Sequence, residues 1–362
     1  MVRYAISRRA FGLVALGTAV SAAKHLLFSD ATNAPPSLPT SDLLELHQKV
    51  AELRTRGRGE LRLDPGRVYD IGEVASPQPI FMLRDLKDVF IDGRGAKIVM
   101  RSRGLGQNQL FLIQGCSNLT IANLSAEDRG TRLDLDWQGA NMFYVECSHG
   151  ASRDILIDNC ALRGGVSFLT CAGTHISART SGIVVRSSRA TDVYYGVNFQ
   201  ENGDRCTTEL QVANCRRAFF VYGVRDHWAD LRIFSDENAL GASACVLVNR
   251  YGRDTSGITV RAAFAGNLPW SSLASLDIAA GEDSSPRIEE VDLILDTRAH
   301  TQRTGAAHPL TISAYAGGVL EPVSHGIWSR ISLAGWFPYA ADEAVRYLTL
   351  PLRQADISVK MT

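Results

Sequence analysis

Lysine is scarce in this chain, at five of the 38 basic residues against 33 arginines. The 38 acidic residues balance the basic ones, so no net positive field draws nucleic acid to it. No apolar run reaches the roughly 20 residues that a membrane-spanning helix needs. The seven cysteines are an odd number for a disulfide framework, and no C-x-x-C pair suggests zinc or redox chemistry. Mostly free, buried thiols are the expectation. The eight histidines are scattered and form no metal-ligand cluster. A P-loop, a G-x-G-x-x-G at a strand–helix junction and a G-x-S-x-G elbow are all missing, which argues against a nucleotide enzyme or an α/β-hydrolase. What is present is ordinary for a folded protein: 45% apolar and 21% charged residues over 362 positions.

The first residues read as an address. Ser7-Arg8-Arg9-Ala10-Phe11-Gly12-Leu13 resembles a twin-arginine export signal, with paired arginines before an apolar stretch ending near Ala23. Small residues at Val20 to Ala23 offer a cleavage region, so residues 1–34 are set aside and residues 35–362 are taken as one domain. Removing that segment leaves 34 basic and 37 acidic residues, a net charge of −3. The expected product is periplasmic or secreted, with no membrane span once the signal is gone.

Residues 29–40, rich in Pro, Ser, Asn and Thr, read as a linker. Leu43, Leu46, Val50 and Leu53 then share one face of a helix starting near Ser41 or Asp42 and broken at Gly57-Arg58-Gly59. Beyond it a short strand motif recurs. Its cores are Val89-Phe-Ile91, Leu119-Thr-Ile121, Ile155-Leu-Ile157, Ile183-Val-Val185, Leu210-Gln-Val212, Leu231-Arg-Ile233, Ile258-Thr-Val260, Val291-Asp-Leu293, Ile331-Ser-Leu333 and Ile357-Ser-Val359. They recur every 21 to 40 residues, as stacked coils with loop insertions do. A second strand precedes most cores, among them Met142 to Cys147, Val197 to Gln200, Phe219 to Tyr222 and Cys245 to Val248. Asn123, Asn159 and Asn214, with Ser187 in the equivalent place, sit two residues past a core. Asparagine tolerates a left-handed turn, and stacked amides hydrogen-bond between coils.

This order of strand, asparagine turn, strand and loop resembles the right-handed parallel β-helix of the pectin-lyase-like superfamily. Glu60-Leu-Arg-Leu-Asp-Pro-Gly66 followed by Val89-Phe-Ile-Asp-Gly-Arg-Gly-Ala-Lys-Ile98 is similar to the first coil of that family. The resemblance implies an all-β fold: a single-stranded right-handed parallel β-helix with a short N-terminal capping helix. It also implies an extended polysaccharide or oligosaccharide partner, held along one strand face between loops. Homo-oligomers are common in such proteins, and nothing in the residues decides for or against one. The resemblance departs from known branches. The paired aspartates and Gly-His-Gly of polygalacturonases and the W-x-D-H stretch of pectate lyases are missing.

Period-two alternation on the strand before each core points Tyr144 and Glu146, Asn198 and Gln200, and Tyr222 outward, with Glu201 just beyond. The same reading adds Arg225, Asp226, His227 and Trp228, then Asn249 and Arg250, with His149 and His175 on adjoining loops. Amides and arginines suit sugar hydroxyls and carboxylates, and tyrosine stacks on a sugar face or transfers a proton. β-Elimination from a uronate is the first expectation: Arg225 or Arg250 neutralises the carboxylate, while Tyr222 or His227 takes the α-proton. Hydrolysis or sugar transfer through two of Glu146, Glu201 and Asp226 is the alternative. Tyr144, Asn198, Gln200, Asn249, Arg250 and Trp228 are the substrate-binding candidates. The third reading is a non-catalytic glycan-binding or exopolysaccharide-assembly protein. No metal ligands and no cofactor are assigned. The carboxylate-rich loop Glu127 to Trp137 offers calcium ligands without the spacing of an EF-hand.

Overall fold

The computed structural model describes residues 39–74, 79–102, 107–130, 139–173, 179–236, 243–249, 254–266, 270–279, 287–300, 308–316, 319–320, 327–336, 343–348 and 357–361. Helix α1 (Ser41–Arg56) opens them. The Thr40 hydroxyl accepts the Leu43 N–H, and Gly57, at φ 69°, returns its N–H to the carbonyls of Leu53 and Arg54. These are the usual closures of orphan helix-end groups. Leu46, Val50 and Leu53 are buried, so the helix lays its apolar stripe over the start of the strand stack. An open strand edge there is thereby covered.

Everything after the helix is strand and turn. One ladder of parallel strands runs from Gly59–Arg62 through Lys87–Ser102, Ser117–Asp128, Arg153–Asp158, Ser181–Thr191, Cys206–Ala213, Arg225–Ser235, Thr255–Gly266, Arg287–His300 and Ile327–Trp336 to Ile357–Met361. A second runs from Pro79–Arg84 through Gln107–Gln114, Gly139–Glu146, Ser167–Ala172, Tyr195–Gln200, Arg217–Tyr222, Ser243–Asn249 and Ser272–Ala279 to His308–Ala316. The chain alternates between the two ladders, so each coil pairs with the next and not with itself. This is a single-stranded parallel β-helix, right-handed as parallel crossovers are.

The long strands bend. Register shifts fall between Asp92 and Ala96 and between Val185 and Ser188, beside the left-handed residues Arg94 and Ser187. Asn123 and Asn159 hold the same bend at φ 56° and 49°. The Asn159 amide donates to Asn123 Oδ1 at 2.9 Å, and the Asn123 amide donates to Asp92 Oδ1 at 3.0 Å. Asn214 turns elsewhere. It follows the second arm of its strand, level with Asp192, and donates to that carboxylate at 3.5 Å.

Two of the ten repeat cores also change place. Inward stacking runs Val89, Leu119, Ile155, Ile183 in one block and Cys206, His227, Ile258, Val291, Ile331, Ile357 in the next. Leu210-Val212 and Leu231-Ile233 pair with each other on the second arm instead. Both arms bury apolar residues at period two, so pattern alone does not tell them apart.

The interior is closely filled. Phe81, Phe111, Phe143 and Phe168 stack from coil to coil with centroids 5.3 to 5.7 Å apart. Each such ring contributes about 1.5–3 kcal/mol by leaving water. All seven cysteines are free and buried, and burial pushes Cys160, Cys206 and Cys245 up to about 12, which leaves them unreactive thiols. Among the described residues no helix is long and apolar enough to cross a membrane.

The asparagine bend is open to a stability test. Asn159→Ala loses both the amide bond and the left-handed tolerance, so a loss of about 2 kcal/mol is expected in urea unfolding. Asn159→Gly keeps the backbone freedom and should lose about half as much. Equal losses would remove the backbone part of the explanation.

Candidate functional site

The outer face of the short-strand ladder gathers five of the residues expected there. Tyr144 pairs with Thr170, which pairs with Asn198, which pairs with Phe220. One position on, Glu146, Ala172, Gln200 and Tyr222 form a parallel column. All four end their strands. Arg84 and Gln114 end the two strands before them and extend the same column. These two were missed by sequence reasoning. The signal was available, because Arg84 precedes left-handed Asp85 and Gln114 precedes left-handed Gly115, as Tyr222 precedes left-handed Gly223.

Hydrogen bonds tie this column together. Arg84 donates through Nε and Nη2 to Gln114 Oε1 at 3.0 and 2.9 Å. Gln114 Nε2 donates to Glu146 Oε2 at 2.7 Å and to the Ser148 hydroxyl at 3.1 Å. Ser148 in turn shares a hydrogen bond of 2.9 Å with His149 Nδ1. Further along, the Tyr222 hydroxyl donates to Gln200 Oε1 at 3.3 Å, and Gln200 Nε2 donates to Asn198 Oδ1 at 3.0 Å. Burial, helped by the Glu146 charge, raises the Tyr144 hydroxyl well above the ordinary tyrosine range and keeps it protonated. Ala172 is the small residue between Glu146 and Gln200, whose strands lie about 10 Å apart.

The stretch from Tyr222 to His227 is a corner, not one patch. Val224 is buried, Arg225 and Asp226 are exposed, and Asp226 takes a left-handed φ of 57° at the start of the long strand. That residue resets the alternation, so His227 points into the coil interior, in the inward row between Cys206 and Ile258. Its ring stands edge-on to Phe199 and Phe219 at 4.5 and 5.1 Å and shares a hydrogen bond with Thr208 at 3.1 Å. Burial alone pulls its pKa down to about 3, so it is a neutral core residue. It is not in the groove.

Other expected members separate too. Trp228 lies on the outer side of the long-strand ladder between Thr207 and Thr259, away from Tyr222. Glu201 is a buried turn residue at φ 54°, not part of the outer face. Arg225 and Asp226 line a corner groove with Arg153, Asp154, Arg179, Ser181, Asp204 and Arg205. The three candidate carboxylates therefore do not face one another. Asn249 ends strand Ser243–Asn249, while Arg250, His175 and Trp137 lie outside the described residues. In the proposed calcium loop, Asp128 accepts the backbone N–H groups of Ser102, Gly130 and Ala140, and Glu127 pairs with Lys97 and Arg129. Those two carboxylates are already engaged by the fold.

A second polar cluster on the same face was not foreseen. By register, Tyr222 pairs with Val248 and Val248 with Asp277, so Asp277 sits two strands on in the column, about 10 Å away. The buried hydroxyls of Ser313 and Ser275 donate to its two oxygens, the latter at 3.3 Å. The residue keeps partial exposure, while burial of its carboxyl raises the pKa above the ordinary aspartate range, against the opposite pull of Ser313, Arg217 and Ser275. Arg217 lies with its guanidinium 5.1 Å over the Phe220 ring and 5.9 Å over that of Tyr195. Phe220 meets Tyr222 edge-on at 5.9 Å. A cation, a tyrosine hydroxyl and a carboxyl thus share one stretch of the face. No group of three or more potential metal ligands occurs among the described residues.

No family model matches the chain, and no curated protein matches it. Among solved structures, a double-mutant tailspike protein of E. coli bacteriophage HK620 is similar over 91% of this chain and 63% of its own, with 13% identity and a TM-score of 0.47. A second tailspike double mutant, in complex with a pentasaccharide, has 12% identity and a TM-score of 0.46 over the same shares. Endo-xylogalacturonan hydrolase from Aspergillus tubingensis is similar at 9% identity and a TM-score of 0.43, over 91% of this chain and 90% of its own. The chain spans 63% of the length of those tailspike chains.

The buried histidine predicts an acid sensitivity. With its folded pKa lowered to about 3, His227 favours the folded state fully above the unfolded value near 6.5, and that contribution is lost as pH falls below it. Between pH 7 and pH 5 the wild type should lose about 2 kcal/mol from this group. His227→Leu should lack that component when urea midpoints at the two pH values are compared. The same pH dependence in both proteins would refute the assignment.

Proposed function

We propose that this protein is an exported, carbohydrate-active β-helix protein that holds an extended oligosaccharide along the outer face of its short-strand ladder. We propose further that it cleaves a uronate-containing glycan by β-elimination. The observation that carries the reading is the shared column of Glu146, Gln200 and Tyr222, extended by Arg84 and Gln114 at one end and by Asp277 at the other. Parallel coils set about 4.8 Å apart repeat such side chains along a line, which suits a linear chain of sugars. Export rests on the twin-arginine resemblance at Ser7 to Leu13.

Elimination is favoured over two-carboxylate hydrolysis because Glu146, Glu201 and Asp226 occupy a face, a turn and a corner. Hydrolysis requires two carboxyl groups across one bond. Elimination requires a cation near the uronate carboxylate and a base for the α-proton. Arg217 takes the place first given to Arg225 or Arg250. Tyr222 keeps the role of base: after its hydroxyl proton passes to solvent, the oxygen accepts the α-proton. Gln200 and Asn198 orient that tyrosine and offer amides to sugar hydroxyls.

Mass spectrometry of products from neutral and uronate-containing polysaccharides tests this. Fragments one water lighter than hydrolytic ones are expected from uronate substrates, and Tyr222→Phe should slow their release about a hundredfold or more. Glu201→Gln and Asp226→Asn should leave the rate unchanged. Fully hydrated fragments, lost on replacing Glu146, would overturn elimination; glycan binding without fragments would leave a non-catalytic binding protein.

A further inference from the structure

Asp277 is a carboxyl group for which the fold has no evident structural use. It forms no ion pair at salt-bridge distance among the described residues, and no backbone N–H is recorded against it. What surrounds it is a mounting. One buried serine hydroxyl donates to each oxygen, from its own strand (Ser275) and from the next (Ser313). The carboxyl is therefore held in one orientation on the outer face, with part of the residue open to solvent.

We propose that Asp277 is the catalytic proton donor to the departing glycosidic oxygen. The inference rests on the elimination reading above and adds the group that the reading lacks. Tyr222 and Asp277 stand in one column with only Val248 between them, so a sugar unit lying along the column reaches both. In the step, the C–H electron pair at the α-carbon becomes the new carbon–carbon double bond as Tyr222 takes the proton. The bond from the β-carbon to the glycosidic oxygen breaks, and that oxygen takes the Asp277 proton. Asp277 is left as a carboxylate and is reprotonated from water. No oxidant, reductant or further reactant is needed. Arg217 stands near enough to stabilise the carboxylate that forms, and the two serine hydroxyls remain to receive it.

The burial that raises its pKa supports the same role, because a donor must still hold its proton where the enzyme works. Val248, which packs toward Tyr222 and Phe220, keeps the space between base and donor apolar.

The test combines infrared titration with kinetics on Asp277→Asn, a substitution of equal size, and on Ser313→Ala. In the wild type, the carboxyl signal missing from Asp277→Asn should titrate above the ordinary aspartate range. Asp277→Asn should lower kcat about a hundredfold with little change in KM. Its rate should go on rising with pH where the wild-type rate levels off, since only the donor's loss of a proton sets that plateau. Ser313→Ala should lower kcat several-fold while the protein stays folded. Cleavage by Asp277→Asn at the wild-type rate and profile overturns the donor alone. Titration at or below the ordinary aspartate range also overturns it, whatever the substrate. If the wild type cleaves no glycan, the reading of the reaction fails and the donor falls with it.

Discussion

The hydrogen-bonded stacking of one coil on the next is the constraint from which the rest of this molecule follows. Each strand pairs only with strands one coil before and after, so a side chain's neighbours are set by register along the stack. A residue placed inward must therefore match the residues above and below it in size and polarity. The phenylalanine stack through Phe81, Phe111 and Phe143, the buried cysteines and the neutral His227 are all answers to that demand. At the first coil the stack has no earlier neighbour, and helix α1 supplies the missing apolar face.

The same rule makes the outer face a ruler. A side chain at the end of one short strand lies about 4.8 Å from its counterpart on the next, so polar residues at one offset become a line. Arg84, Gln114, Glu146, Gln200, Tyr222 and Asp277 are far apart in sequence and consecutive in that line, apart from Ala172 and Val248. Hydrogen bonds within the line fix rotamers before any ligand arrives, and pre-organisation of this kind spares the ordering cost on binding. Small or apolar members of the line are equally informative. Ala172 leaves room between Glu146 and Gln200, and Val248 keeps water from bridging Tyr222 and Asp277.

Turns set the phase. A left-handed residue before each inward core, Asp88, Asn118, Asp154, Arg205 and Asp226 among them, lets the chain change direction and begin a new alternation. This is why Tyr222 and His227, five residues apart, end on opposite sides of the coil wall. Glu201 meets the same fate one coil earlier, as a turn residue rather than a member of the face.

The amino-acid sequence by itself determined the coil fold, its capping helix, the asparagine bend at Asn123 and Asn159, and the outward setting of Tyr144, Glu146, Asn198, Gln200 and Tyr222. Those features are local: period-two alternation and turn chemistry act over a few residues, and they are written in consecutive letters. Tertiary structure alone decided that His227 and Trp228 leave the face, that Leu210-Val212 belongs to a second arm, and that Arg217 and Asp277 join Tyr222. Each of those depends on how one coil registers against another across 20 or more residues of intervening chain. A left-handed turn residue shifts that register by an amount no alternation pattern records, and hydrogen bonding between whole coils then selects which side chains meet.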